Sequence, residues 1–494
     1  MQQYKRLAGQ TALYGLGTIV PRFLNYVVLT PFYTNIFTVE QYGIVTNLYA
    51  YVVFLLILLT YGLETGYFKF TKSENDPGRV YSTIMASLFT TSVMFIAVVL
   101  IFNPSIARIL EYPNREYLIV LFSLVVAIDA FSAVPFAKLR YENKAKKFGY
   151  LKIFNVLVNL LFNFIFFILF PWLLKKEGFG FVAALYDPSI GVGYVFLSNL
   201  MASFLTLVLL LPEVNISVRL VDRALLKRVL KYSMPLLVVG LAGTINEVAD
   251  KELIKQLVPD SEQPMRQLGI YGANYKLGML MTIFIQMFRY AAEPFYFSKM
   301  KDYDAREVYA RVMKFFTIFG LLIFLGVLLY LDIFKWFIAQ KHHVGLHIVP
   351  IILMANLFLG VNYNLSIWYK LSNLTRYGAV IALVGAGITL SMNFLLVPVY
   401  GYEGAAWATL ICYFSMMVIS YFMGRRHYRI PYPVGSIFVY IAIALGIFFA
   451  TKYIHYPGTF FKYLINSLFL FAFIGVVFTR EKIRLEDVRE FFKR

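Results

Sequence analysis

Apolar residues come in long unbroken runs along this chain, about fourteen of them, each near the roughly 20 residues that a helix needs to cross a bilayer core. Short polar segments separate the runs, and none shows the alternation of half-buried strands. The pattern predicts an all-α polytopic membrane protein with about fourteen transmembrane helices. The first run, residues 8–33, follows Lys5 and Arg6 in the manner of a signal peptide. Pro21 and Arg22 interrupt it and no small-residue cleavage site follows, so it reads as a retained helix. The runs that matter most below are the second (42–68), fourth (117–136), seventh (234–257), eighth (270–292), eleventh (377–397) and twelfth (404–423), with 435–450 and 461–478 closing the series.

Composition strengthens this reading, because 60% of the 494 residues are hydrophobic and only 15% are charged. A net charge of +19 would suggest nucleic acid in a soluble protein. Here Lys and Arg collect in alternate loops. With the N-terminus in the cytosol, that side gathers about thirty of them and the opposite side roughly ten, which places both termini in the cytosol. The dense basic stretches 138–147, 219–231, 299–314 and the tail 480–494 therefore read as topological charge in contact with lipid headgroups, and no nucleic-acid partner is expected. The single cysteine, Cys412, excludes an internal disulfide. No loop greatly exceeds roughly 20 residues, which leaves no room for a soluble catalytic domain.

An internal repeat divides the chain. Lys138-Leu139, Phe148-Gly149 and Asn163-Phe164 return in the same order as Lys370-Leu371, Tyr377-Gly378 and Asn393-Phe394. A weaker echo links the segment from Tyr42 to that from Leu268. The near-constant spacing predicts two six-helix lobes with pseudo-two-fold symmetry, residues 1–215 and 216–428, followed by an extra helix pair and basic cytosolic tail, 429–494.

Charges at membrane depth cost at least a few kcal/mol, so each needs a partner, a watery cavity or an escape to the interface. Arg22 lies midway along the first run, Asp129 in the fourth, Asn246, Glu247, Asp250 and Lys251 in the seventh, and Lys276, Arg289 and Glu293 along the eighth. Glu247 and Asp250 share a helix face, and Glu247 and Lys251 are spaced to pair. Two readings stay open for this group: an internal salt bridge that lets the helix pack, or a cation or proton site. Arg22 and Lys276 either pair with Asp129 or another helix, or line a cavity for an anionic headgroup, a task suited to a guanidinium that grips phosphate bidentately. Glu64 and Glu293 precede similar endings, ETGYFKF and EPFYF, and read as gate or interface acids, as Asp129 does within the cavity.

Other signals carry less. Asp302-Tyr303-Asp304 matches a D-x-D motif of some glycosyltransferases without a nucleotide-binding fold around it. His342, His343 and His347 cluster in one loop but read as solvated rather than as zinc ligands. No phosphate loop, nucleophile motif or triad spacing is present, so neither an enzyme nor a metal site is expected.

The opening KRLAGQTALYGLGTIVPRFLNYVVLTPFYTNIFTVEQYGIV, with YGLETGYFKF, INEVADKELI and YGYEGAAWATLICY, resembles the polysaccharide and oligosaccharide flippases, a family that includes the Wzx-type exporters and shares a superfamily with lipid II flippases and multidrug efflux proteins. The resemblance implies two lobes, alternating access, and transfer of an undecaprenyl-pyrophosphate-linked oligosaccharide (O-antigen, capsule or another surface polysaccharide unit) to the periplasmic leaflet of a bacterial inner membrane. Membrane lipids, a polysaccharide polymerase and glycosyltransferases are the implied partners. It also implies cavity cations at Arg22 and at Lys276 or Arg289, and coupling-ion positions at Glu247, Asn393 and Thr409, which join Asp250 and Asn246 of the seventh run as ion-coupling candidates. No cofactor is expected, and the drive is left open between sodium, protons and membrane potential. The alternative from the same fold is a cation-coupled multidrug efflux antiporter, whose cavity should be acidic.

Overall fold

The computed structural model describes residues 2–176, 180–300 and 302–482. The principal helices are α1 (Gln2–Ile36), α2 (Val39–Thr60), α3 (Leu63–Ser73), α4 (Pro77–Ile109), α5 (Glu116–Tyr141), α6 (Ala145–Phe164), α7 (Gly193–Leu210), α8 (Arg223–Leu257), α9 (Pro264–Lys299), α10 (Ala305–Leu329), α11 (Val349–Leu365), α12 (Arg376–His427), α13 (Val434–Tyr453) and α14 (Thr459–Glu481). Among the described residues, 11 helices are long and apolar enough to cross a membrane. α1 and α9, at 35 and 36 residues, have the length too but are interrupted by Arg22 and by Lys276, Arg289 and Glu293 respectively. The helical fold is as expected, and a count of fourteen crossings is consistent with it.

Two breaks decide how runs become helices. The second run is not one helix: Tyr61 (φ 31°) and Gly62 (φ 73°) end α2 in a left-handed turn before α3 begins. α12 extends over 52 residues and is two helices merged across Gly401 (φ 54°). A straight helix of that length would reach roughly 78 Å, far beyond a bilayer core of about 30 Å. Gly401 suits this corner twice over, since only glycine adopts the left-handed turn at no steric cost and a Cβ there would run into the Gln267 side chain. Gln267 Oε1 in turn accepts a hydrogen bond from the Tyr402 N–H at 3.0 Å, which holds the corner. α2 begins with a capping box, in which Thr38 and Gln41 satisfy each other's backbone donors.

The chain forms two compact units, Met1–Ala273 with Gly385–Ala405, and Asn274–Val384 with Ala406–Arg494. In unit 1, α5 packs on α4 and α7, α1 on α6, α6 on α7, and α8 on α2 and α3. Leu63, Val80, Ile84, Met85, Leu88 and Val229, all fully buried, lock α3, α4 and α8 together. In unit 2, α10 packs on α11, α13 and α14. Lipid tails are as apolar as leucine, so close fit rather than escape from water holds such helices together. Exposed faces remain apolar, as with Met94, Ile101 and Phe102 on α4 and Phe438 on α13. The expected basic tail lies, from residue 483 onward, outside the described residues.

Candidate functional site

Unit 1 gathers charges along α1, α3, α5 and α6. Arg22 follows Pro21 on α1, and its guanidinium lies within electrostatic reach of Lys152 on α6. Lys152 also feels Asp129, Glu64 and Arg140, and its ammonium sits 3.9 Å over the Phe136 ring. Asp129 is hydrogen-bonded to Ser203. Arg140 Nη2 meets Glu64 Oε2 at 2.6 Å while its guanidinium lies over Phe68. Arg22, Glu64 and Asp129 thus come together around two cations that sequence reasoning passed over. Arg140 was hidden among the topological charges of a basic loop. Lys152 carried a usable signal, being a lysine just inside the start of an apolar run, 148–173.

Most of that basic loop is engaged elsewhere. Lys138, Lys144 and Lys147 approach the buried carboxylate of Glu213 at 3.9, 3.2 and 2.7 Å. The neighbouring Glu142 and Glu213 carboxylates push the Lys144 ammonium above the usual lysine range.

In unit 2 the chemistry centres on the second half of α9. The Arg289 guanidinium stacks 4.2 Å from the Tyr363 ring, and Glu293 pairs with Lys370 of the short helix Ile367–Leu371 at 2.6 Å. Tyr296 donates to Asn364 Oδ1 alongside. Arg289, Glu293, Tyr363 and Lys370 line a small hollow of about 20 Å³. Lys276 lies more than three turns away on α9, partly buried and not part of this lining.

The seventh-run acids separate. Glu247 is exposed, whereas Asn246 and Asp250 are buried. The expected Glu247–Lys251 side-chain pair does not form. Lys251 Nζ turns back along the helix to the Glu247 carbonyl oxygen at 2.9 Å and to Asp250 Oδ1 at 3.0 Å, because the adjacent carboxylate and the carbonyl one turn earlier can be reached together. The Tyr271 hydroxyl also donates to Asp250. Thr389 Oγ1 on α12 donates to Asn246 Oδ1 at 3.1 Å, and Asn393 Nδ2 bonds the Thr389 carbonyl at 2.7 Å. Asn393 is fully buried, and its Oδ1 has no hydrogen-bond partner among the described residues. Asn246, Thr389 and Asn393 thus form one polar group in unit 1, while Thr409 is buried in unit 2.

A second polar network went unread in the sequence. Glu252 accepts from Asn47 at 2.8 Å and from Tyr51, Tyr112 donates to Asn47 at 2.7 Å, and Lys255 reaches Glu111 and the Leu110 carbonyl. Glu252 was indistinguishable from its acidic neighbours until the fold brought α2 beside α8.

The weaker motifs have ordinary local partners. Asp302 pairs with Lys299, and the rings of His343 and His347 bond backbone carbonyls.

Residues 7–301 match the profile of a family described as Polysaccharide biosynthesis protein. The chain belongs to that family. No curated protein is detectably similar to it. Among solved structures, this family member is similar to the lipid II flippase MurJ in an inward closed conformation, at 14% identity and a TM-score of 0.73, over 96% of this chain and 100% of that one. It is also similar to a multidrug resistance MATE family transporter of the MOP superfamily in an inward-facing conformation, at 13% identity and a TM-score of 0.62, over 84% of this chain and 94% of that one. An outward-facing MATE structure gives a TM-score of 0.55 at 12% identity, over 84% of this chain and 95% of that one. These likenesses establish the fold. Family and fold together give this polysaccharide biosynthesis protein the many-helix architecture of those solved structures.

Proposed function

We propose that this family member flips an undecaprenyl-pyrophosphate-linked oligosaccharide from the cytosolic to the periplasmic leaflet of a bacterial plasma membrane, by alternating access and with both termini cytosolic. The observation that carries the reading is the set of cations held within long apolar helices, Arg22 and Lys152 within electrostatic reach of each other in unit 1 and Arg289 in unit 2, with Lys152 over the Phe136 ring and Arg289 over that of Tyr363. A diphosphate cannot enter hydrocarbon unaided, so a carrier must replace its hydration with fixed cations while the prenyl tail stays in lipid. Guanidinium groups suit that task because they stay charged and bind phosphate in a fork.

Asn246, Thr389 and Asn393 are the candidate coupling group. The unpaired acceptor at Asn393 supports coupling to a cation gradient, with sodium, protons and membrane potential as the competing drives. A polymerase and glycosyltransferases are the expected partners, supplying and consuming the lipid-linked glycan. A drug antiporter would want free acid in its cavity, yet Asp250 is held by Lys251 and Tyr271, and Glu252 by Asn47 and Tyr51.

The test is reconstitution in liposomes with a labelled undecaprenyl-pyrophosphate oligosaccharide and, in parallel, a cationic dye. Wild type should move the glycan lipid and not the dye. Arg22→Ala should abolish that movement while leaving the protein inserted and stable. Normal export by Arg22→Ala would remove Arg22 from the mechanism, and dye movement alone would favour the antiporter.

A further inference from the structure

The internal repeat reappears as chemistry. Glu64 pairs with Arg140 in unit 1 and Glu293 with Lys370 in unit 2, both at 2.6 Å. Carboxylate and cation are offset by 229 and 230 residues between the copies, the spacing of the Phe148/Tyr377 and Asn163/Asn393 matches, under which Lys370 answers to Arg140 rather than to Lys138. The framing is repeated too. Tyr67 meets Tyr81 edge-on at 5.9 Å and 72°, and Tyr296 meets Tyr309 edge-on at 5.2 Å and 88°. Each unit has therefore kept one carboxylate against one cation at the same place in its fold.

Stability is a weak reason for keeping them. The side chains are 37% and 42% exposed in the first pair and 28% and 44% in the second. Ion pairs so open to solvent contribute little to stability. Each pair instead has a further cation in its surroundings, Lys152 within electrostatic reach of Arg140 and Glu64, and Arg289 lining the same hollow as Lys370. Two cations that share one nearby carboxylate form a site that an anion of higher charge can take over. In unit 2 the surrounding hollow of about 20 Å³ has room for roughly one water. A phosphate group therefore reaches Lys370 and Arg289 only when the Glu293 carboxylate swings away.

We propose that Glu64 and Glu293 are built-in counter-ions that compete with a diphosphate for Arg140 and Lys370, so that they weaken headgroup retention and speed its release. This rests on the reading of the protein as a carrier of diphosphate-linked lipid and adds how the cargo is let go. A tethered carboxylate acts at a high effective concentration, and lowers the apparent affinity of an external anion without removing a single cation. A carrier needs this, since cargo bound too firmly is never discharged.

The experiment measures binding of inorganic pyrophosphate to the purified full-length protein by calorimetry, and export of the labelled glycan lipid in liposomes. Glu64→Gln and Glu293→Gln should each bind pyrophosphate about tenfold more tightly than wild type and export more slowly, whereas Arg140→Gln and Lys370→Gln should bind it about tenfold more weakly, the scale of one charge-assisted hydrogen bond. A merely structural pair would not gain affinity when broken. If Glu293→Gln does not fold, Glu293→Asp, which retracts the same charge by one methylene, is read in the same way. Wild-type binding with no tightening in the glutamine variants overturns the counter-ion role and leaves the carrier reading standing. Failure of wild type and variants alike to bind pyrophosphate overturns both.

Discussion

Asn163 on α6 and Asn393 on α12 occupy matching places in the repeat, and each reaches back one turn to a backbone carbonyl, that of Asn159 at 2.8 Å and that of Thr389 at 2.7 Å. Their other ends differ. Asn163 Oδ1 accepts from the Tyr33 hydroxyl of α1 at 2.8 Å, while Asn393 Oδ1 has no partner among the described residues. One copy has become a fastener between helices and the other has kept a buried acceptor open. A duplicated frame can therefore hold its geometry while one copy turns to structure and the other stays available for chemistry.

The hardest way to break the frame is at the matched Tyr-Gly pairs, Tyr42-Gly43 and Tyr271-Gly272. At Gly43 an added Cβ would collide with the Met265 carbonyl oxygen, and at Gly272 with the side chain of Thr46. A carbonyl fixed in a helix cannot yield, whereas a threonine side chain can rotate. Gly43→Ala should therefore lose most folded protein, and Gly272→Ala should fall nearer the roughly 1–3 kcal/mol of ordinary overpacking. Size-exclusion profiles and thermal unfolding in detergent give the ranking; a Gly43→Ala protein as stable as Gly272→Ala would mean the helices separate there at little cost.

The asparagine contrast itself is next in size. Asn163→Leu strands the buried Tyr33 hydroxyl, which should cost about 1–3 kcal/mol. Asn393→Leu removes an amide whose oxygen is already unpaired and should cost less than that, but ion-gradient acceleration of export should disappear. Equal destabilisation at the two sites would erase the distinction, and Asn393→Leu transport that still responds to the gradient would take Asn393 out of the coupling group.

What sequence could reveal follows the same division. Long apolar runs are local, so the helices and the membrane were plain, and the offset matches exposed the repeat before any contact was known. Pro21 and Arg22 announced themselves because a charge in an apolar run is conspicuous. The breaks at Tyr61-Gly62 and Gly401 were half visible, the second because a loop was expected there and the first not at all, since an apolar run gives no sign of a left-handed turn inside it. Partners were the least legible. Arg140 looked like any other loop cation, and Glu252 like any other acid of its helix, until side chains about 75 and 200 residues away in sequence came beside them. The eighth run offered Lys276 and Arg289 as equals, and nothing along the chain hinted that Tyr363, Glu293 and Lys370 gather around the second.

The extra helix pair has no counterpart in the repeat and supplies the smallest effect. Asp332, just beyond α10, is bonded by Lys335 at 2.8 Å and by Lys462 at the start of α14, while Glu481 at the other end of α14 meets Lys314 and Tyr440. The two lysine ammonium groups hold the Asp332 carboxyl below its ordinary value of 3.8. A carboxylate depressed on folding stabilises the folded state above its unfolded pKa, and that contribution is lost as pH falls through the lower folded value. The side chain is 36% exposed, so solvent screening keeps the effect slight. Between pH 5 and pH 3 the melting temperature of wild type should fall slightly more than that of Asp332→Asn, which has no proton to take up there. The glycan-lipid export rate at pH 7 should be the same in both, since this fastener lies outside the matched pairs. A large export defect in Asp332→Asn would show that the helix pair takes part in transport, and the contrast between repeated and unrepeated helices would then have to be redrawn.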